Sequence, residues 1–463
     1  MIERFTTKNR EGFLYSDLYL LLVIVAGFFV WYFKLENVGF VAFAIVASLI
    51  LFFHDDFAPV IPIALAICFI IPNGLSTDYN LYDNLIFYVI AIVCFLTGLT
   101  VFFIKKKRIK LGAQFIGSMA MGLTYVLGGI LYDFEIWKNG LVTTLIFAVM
   151  CVLVYLVVIN GLKRADNSYL ARIFIAIAIL VMFETFAFFI TADKSFEAII
   201  IDKSLHLGWG CSNNIGSILL LTIPLTIYLA VKEKKYVIPC AILVVMQMAT
   251  LVLTLSRGCI LFGAIGIPVA LIYACIKTKH KKWFYIAFGA TFVALVIFSF
   301  IKVDALGIIW DKLNIFDFGS GTVNDNGRFE IYSAGIHNFL IAPFNGTGVA
   351  LAYAVDKVNY FWYHCTPLQF MVNAGTLGLI GYLVHLFFKY KIFFVRKTPV
   401  VNKFILISVI LWSLYALIDC SYFLPYQLMM LFVLLAYAEK NLPKDYDAYA
   451  IFKRKKGKIK EEK

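Results

Sequence analysis

LIFYVIAIVCFLTGLTVFFI, from Leu85 to Ile104, is followed at once by Lys105, Lys106, Lys107 and Arg108. A helix of about twenty residues rises roughly 30 Å, the depth of a bilayer's hydrocarbon core. This stretch fills that depth without a single charge, and the four cations that end it mark a membrane surface. The rest of the 463-residue chain repeats the pattern, at 62% hydrophobic and 15% charged residues and a mean hydropathy of +0.87. A soluble protein has no interior large enough for that much apolar surface, whereas lipid solvates it. The expected fold is therefore all-α: a polytopic integral membrane protein of about 12–14 transmembrane helices.

Most apolar runs are clean. The run Phe57–Ile71 contains Pro59 and Pro62 and is expected to be interrupted or re-entrant, and the last two, Phe404–Ile418 and Leu424–Ala438, are short. Residues 1–438 form one membrane domain, and residues 439–463 form a basic cytoplasmic tail. Three outer connections are long: Pro72–Asn84, Thr191–Ser212 and, above all, Lys302–Thr366, a large extracytoplasmic loop expected to contain short helices. Water, substrate and titratable side chains can meet there, so chemistry belongs there.

Charge gives orientation. Basic clusters fall at 105–108, 163–164, 232–235, 277–282, 389–403 and 440–463, each two spans from the next, so all share one side. By the positive-inside rule that side is cytoplasmic, with both termini on it and the long loop outside. Roughly 32 of the 41 Lys and Arg fall inside, which resolves the net charge of +13 into a cationic inner face and an acidic outer one. This is topology and affinity for anionic inner-leaflet lipid, not a nucleic-acid surface. The localisation expected is a bacterial plasma membrane, with no cleaved leader. Nine cysteines show no CxxC pair, and Cys211, Cys259, Cys365 and Cys420 near the outer side have no disulfide-framework spacing. The tail's Asp445-Tyr446-Asp447 has the form of a metal–nucleotide motif, but beside Lys444 in a solvated segment it reads as a chance pair.

Four outer segments carry candidate chemistry. His206 to Asn214 is a Gly-rich turn with Trp209 expected as an interfacial anchor and Ser212, Asn213 and Asn214 opening a span. Ser256-Arg257-Gly258 is a hairpin tip between two spans. Arg257 there either snorkels to headgroups or binds an anion on an otherwise cation-poor face. Around Arg328, the helical spacing of Ile331, Tyr332, Gly335 and Phe339 suggests an amphipathic helix, closed by Pro343 and the Gly346-Thr347-Gly348 turn. An ion pair from Arg328 to Asp325 or Glu330 is the bland alternative. His364 precedes Pro367, which fits the first turn of a span, so the imidazole sits just outside it beside Tyr360, Trp362 and Tyr363.

The order of these segments resembles the O-antigen ligase/polymerase family, membrane enzymes that ligate or polymerise lipid-linked bacterial glycans. The resemblance covers about Leu205 to Leu386. That family's motif is His, then Asn, Ser or Gln, then nine residues and Gly. His364 and Gly375 keep the spacing, with Cys365 departing at the second position. His337-Asn338 before Gly348 matches in form and is the runner-up, because it lies inside a helix-like stretch. The resemblance implies that Arg257 and Arg328 bind a donor diphosphate, that His364 serves the acceptor hydroxyl, and that Tyr360, Trp362 and Tyr363 contact sugar.

What it implies chemically suits these residue types. A diphosphate leaving group needs charge stabilisation rather than a proton, and arginine's paired N–H donors match phosphate oxygens. An imidazole, titrating near neutrality, is suited to the acceptor's proton. No metal and no cofactor are expected, and the reaction is expected to invert the anomeric carbon. Expected partners are an undecaprenyl-diphosphate-linked saccharide, a glycan acceptor, the bilayer, and a flippase and chain-length regulator; nucleic acid is not among them. The polymerase reading, favoured by the Lys-, Ile-, Phe- and Asn-rich composition, stands against a ligase that moves finished glycan to a terminal acceptor. A transporter or flippase is the rival from another class, with Glu184 as its clear intramembrane acid. A peptidoglycan polymerase lacks the His–Gly element.

Overall fold

The structure, a computed structural model, describes residues 12–71, 85–106, 109–163, 165–299, 307, 316–317, 322–323, 327–349, 362–395 and 398–443. Its helices are α1 (Asp17–Tyr32), α2 (Glu36–Phe53), α3 (Ile61–Ala66), α4 (Leu85–Ile104), α5 (Phe115–Leu127), α6 (Phe134–Val149), α7 (Tyr155–Gly161), α8 (Asn167–Thr191) and α9 (Phe196–Asp202). The second half adds α10 (Ser212–Lys232), α11 (Val237–Leu253), α12 (Arg257–Lys277), α13 (Lys281–Ser299), α14 (Arg328–Ile341), α15 (Thr366–Lys391), α16 (Val400–Ala416) and α17 (Pro425–Lys440). A two-residue antiparallel pairing, Phe316 opposite Val323 and Asp317 opposite Thr322, is the one ladder among the described residues.

Among the described residues, eight helices are long and apolar enough to cross a membrane. Four more apolar helices are shorter: Asp17–Tyr32, Ala58–Phe69, Phe115–Leu127 and Val400–Ala416. The all-helical, multi-span expectation holds. Ala58–Phe69 is broken as its prolines require, with tight 3₁₀ turns at Ala58–Val60 and Ile67–Phe69 on either side of α3. A π-helical turn, Met150–Val154, joins α6 to α7 and makes one continuous rod of them.

Helix α10 is the axis, packed by α8, α11, α12 and α16 and buried from Ile215 to Val231. Its polar residues face partners. Ser217 accepts from Gln427 Nε2 at 2.6 Å, and Gln427 Oε1 accepts from Trp412 Nε1 at 2.8 Å, which links α17 to both α10 and α16. In a low-dielectric interior such satisfied pairs fix register, because the alternative is an unpaired polar group.

One end of the bundle gathers the basic clusters. Lys105 and Lys106 donate to the Phe52 and Asp55 carbonyls, Lys440 donates to that of Ile159, and Asp56 accepts from Tyr15, Ala58 N–H and Lys163 N–H. Asp17, at the start of α1, accepts from Arg172 at 2.9 Å and Tyr236 at 2.6 Å. Lys389 departs from the expected inner cluster. It is fully buried, donating to Tyr422 Oη at 2.7 Å and Ser413 Oγ at 2.9 Å. Helical side chains lean toward their N-terminus, which carries this one back into the bundle instead of out to solvent.

The opposite end is shaped by a break. Gly375, inside α15, has φ +65° and ψ −155°, a region essentially confined to glycine. The chain folds back there: the Phe370 ring stacks on Tyr382 at 5.1 Å, and Gly378 lies against the Phe370 carbonyl. The span expected to open at Pro367 is thus a short helix of about 13 Å and a longer one of about 24 Å, joined by a sharp reversal. Breaking a helix frees carbonyls before the break and N–H groups after it. Segment 343–348 meets both sets. Thr347 and Gly348 N–H donate to the Val372 and Asn373 carbonyls, and Thr376 and Leu377 N–H donate to those of Pro343 and Phe344. Asn345 ties the same segment to the end of α5 through Gly129, Leu131 and Leu127.

Trp209, expected at the interface, is instead buried. It donates to Glu184 Oε2 at 2.6 Å and packs edge-on against Phe69. The Gly208 turn, at φ +83°, and the His206–Cys211 bridge fold this loop inward. The intramembrane acid that a transporter would use is thereby engaged in a structural contact.

Gly375→Ala should lower unfolding free energy by at least about 1–3 kcal/mol from backbone strain alone. Its Cβ would also overlap the Phe344 and Asn345 backbone. Gly289→Ala, where nothing lies within 4 Å of the added atom, should leave the melting temperature of the detergent-solubilised protein unchanged or raised.

Candidate functional site

Helices α10, α12, α14 and α15 all begin at the end opposite the basic clusters, where the α16–α17 connection also lies. Arg257 and Arg328 are the first residues of α12 and α14, and His364 precedes α15 by two positions. A helix start carries partial positive charge and unpaired N–H groups, so arginines placed there concentrate positive potential. None of the residues preceding these four helices, Cys211, Ser256, Gly327 and Cys365, makes a side-chain cap. By contrast Ser16, Asp133, Asp166 and Ser195 each cap the helix that follows them.

The α16–α17 connection draws these groups together. Arg328 Nη1 donates to the Ile418 carbonyl at 2.6 Å. The next residue, Asp419, has its Oδ1 3.2 Å from His364 Nδ1. Thr366 Oγ1 donates to the Asp419 carbonyl at 2.8 Å, and Tyr332, one turn beyond Arg328, donates to the His364 carbonyl at 3.3 Å. Gly258 seats Arg257 against the same connection, because it lies in contact with Ile418 and Tyr415 and leaves no room for a side chain. Arg257 and Arg328 are close enough to repel one another.

Asp419 is an acceptor held in place. Its carboxylate takes the Cys420 N–H at 2.7 Å and the Tyr415 hydroxyl as well as His364. Burial opposes its charge, but these hydrogen bonds and the facing imidazole outweigh it and hold the carboxyl below its ordinary value. An ionised carboxylate only accepts, so His364 Nδ1 is the donor in this contact and Nε2 is the nitrogen left for another partner. Asp419 did not stand out in the sequence, since it lies 55 residues from His364 in an ordinary Asp-Cys-Ser connection.

Backbone strain marks the same place. Among the described residues four non-glycines have positive φ, and three of them, Lys203, Leu255 and His364, flank or belong to this cluster. Such conformations cost roughly 1–3 kcal/mol each and persist where surrounding contacts over-determine them.

The other expected site residues separate. His337 is exposed on the middle of α14, with no ionic partner among the described residues, so the His364–Asp419 pair is the better-built candidate. Tyr363 is buried with its hydroxyl accepting from Asn338 at 2.7 Å, and Trp362 packs against Phe423. Both therefore brace the loop, and Tyr363 has no open face for a sugar ring. Tyr360, Asp325 and about half of Lys302–Thr366 lie outside the described residues, as does the tail motif at Asp445. No ion pair to Arg328 occurs among the described residues, and Glu330 points to solvent.

Residues 241–383 match the family model described as O-Antigen ligase. The match supports the O-antigen ligase/polymerase family and takes in Arg257, Arg328, His337, His364 and Gly375, while Asp419 lies beyond it. No curated protein matches the chain.

The depressed Asp419 carboxyl has a consequence in acid. A group whose folded pKa lies below its unfolded value, about 3.9 for Asp, stabilises above that value and ceases to do so as pH falls through the folded one. The melting temperature of wild type should exceed that of Asp419→Asn at pH 6, and the gap should close as pH falls below about 4. A gap that is constant down to pH 3 would show that ionisation of the carboxyl is not what stabilises the fold.

Proposed function

We propose that the chain is a metal-independent, inverting glycosyltransferase of the plasma membrane. In this reading it moves saccharide from undecaprenyl diphosphate to an acceptor hydroxyl on the extracytoplasmic side. The observation that carries the reading is the meeting of Arg257, Arg328 and the His364–Asp419 pair around one connection, residues 418–419. The side is argued from the basic clusters tied together at the other end, which the positive-inside rule assigns to the cytoplasm.

The chemistry follows from the residue types. Arg257 and Arg328 hold the donor's phosphates, and Arg328 is fixed for this by its bond to the Ile418 carbonyl. The acceptor oxygen attacks the anomeric carbon as the bond from that carbon to the phosphate oxygen breaks. The acceptor's proton passes to His364 Nε2, which Asp419 leaves unprotonated by holding Nδ1–H. The departing diphosphate takes the electron pair, and the two guanidinium groups neutralise it, the role a metal plays in other glycosyltransferases. A single displacement inverts the anomeric centre.

The polymerase reading rests on composition. The ligase reading has the description of the matching family on its side. Deletion in the producing cell separates them: single repeat units passed on intact indicate a polymerase, and full-length chains stranded on lipid indicate a ligase. A flippase would continue to move lipid-linked glycan without this cluster.

In a transfer assay with a defined lipid-linked oligosaccharide, Arg328→Lys should reduce kcat/KM about 10²–10³-fold with folding intact. His364→Ala should cost about 10²–10⁴-fold. Excess EDTA should change nothing. Loss of transfer in EDTA, or full activity in Arg328→Lys, contradicts the proposal.

A further inference from the structure

Helix α9 ends at Asp202, and Lys203 closes it in the left-handed region, at φ 51° and ψ 41°. Its N–H reaches the Ile200 carbonyl at 3.3 Å and the Ser204 N–H reaches that of Ile199 at 3.1 Å, a closure in which glycine is the unstrained residue. A long cation therefore stands where local structure alone favours no side chain.

Its surroundings point to the site just described. Lys203 Nζ lies 3.4 Å from Asn213 Oδ1 at the start of α10. The Asn213 carbonyl in turn meets Cys259 Sγ at 3.8 Å, two residues beyond Arg257. The adjoining acid, Asp202, is paired with Lys194 at 2.9 Å, and among the described residues no carboxylate forms an ion pair with Lys203. Burial, Arg328 and Arg257 all push the Lys203 ammonium below its ordinary value, and Asp419 is near enough to counter them in part. Among the described residues three cations thus crowd a region in which the nearby carboxylate, Asp419, is already engaged by His364. Such a like-charge cluster is unfavourable when empty and becomes favourable when a multivalent anion lies within it.

We propose that Lys203 is a third cationic contact to the phosphate groups of the lipid diphosphate donor, reaching the site from α9 beside Asn213. This rests on the diphosphate reading of Arg257 and Arg328. A diphosphate has more oxygens than two arginine forks saturate, and a lysine reaches the remainder as a mobile point charge.

The test uses the full-length protein in detergent with farnesyl diphosphate as probe, comparing wild type with Lys203→Gly, Lys203→Gln and Lys203→Arg. Glycine removes the cation and suits the left-handed backbone. Lys203→Gly should therefore melt at or above the wild-type temperature while its Kd rises about tenfold or more. Lys203→Gln should show the same loss of affinity, and Lys203→Arg should bind within about threefold of wild type. Wild-type affinity in Lys203→Gly overturns the proposal, as does a loss that follows a fall in melting temperature across the glycine and glutamine variants. Failure of wild type itself to bind the probe removes the diphosphate reading and this proposal with it. Tight wild-type binding that Lys203→Gly leaves unaltered removes this proposal alone.

Discussion

A helix broken inside a membrane must find new partners for its backbone, because each unsatisfied peptide group there costs several kcal/mol or so. In this chain the break is at Gly375 and the partners come from residues 343–348. That exchange fixes three things together: the reversal of α15, the position of the segment that follows α14, and the attachment of both to the end of α5 through Asn345. Arg328 starts α14 and His364 lies just ahead of α15, so the same bonds set how these two side chains approach each other. The spacing of histidine and glycine in the sequence motif thereby acquires a mechanical meaning. The histidine is presented by a short helix that exists as a separate piece only because the glycine allows the turn.

The connection between α16 and α17 completes the arrangement. It offers a carbonyl at Ile418 to the arginine and a carboxylate at Asp419 to the histidine, in consecutive residues. Tyr415, Cys420 and Thr366 hold that connection from behind. Positive charge from two arginines is thus set beside an oriented imidazole. A carboxylate on the arginine would compete with a phosphate; a carbonyl anchors it and leaves its charge in place.

What the sequence made legible was local. Spans, proline-broken Phe57–Ile71 and the grouping of the basic clusters follow from composition and periodicity, whereas Arg257, Arg328, His364 and Gly375 are candidates through the resemblance of their motif order to a known family. What escaped depended on distant pairing. Asp419 gains meaning only beside His364, and Trp209 only beside Glu184. Lys389 read as one more interfacial cation until helix geometry turned it onto Tyr422 and Ser413. The Gly346-Thr347-Gly348 turn meant little alone, since its work is to supply N–H groups to carbonyls of a helix some 25 residues further on. Tyr363 beside a candidate histidine suggests a sugar contact in the sequence, and its burial and its hydrogen bond from Asn338 emerge only in the fold.

The central claim is that the two guanidinium groups and the His364–Asp419 pair surround one bound diphosphate. The most direct measurement is an experimental structure of the full-length protein with a non-transferable phosphonate analogue of a lipid-linked saccharide. The account predicts phosphate oxygens within about 3 Å of both Arg257 and Arg328 and the anomeric carbon on the His364 side. Phosphates bound at the basic end, or against one arginine with the other turned away, would contradict it.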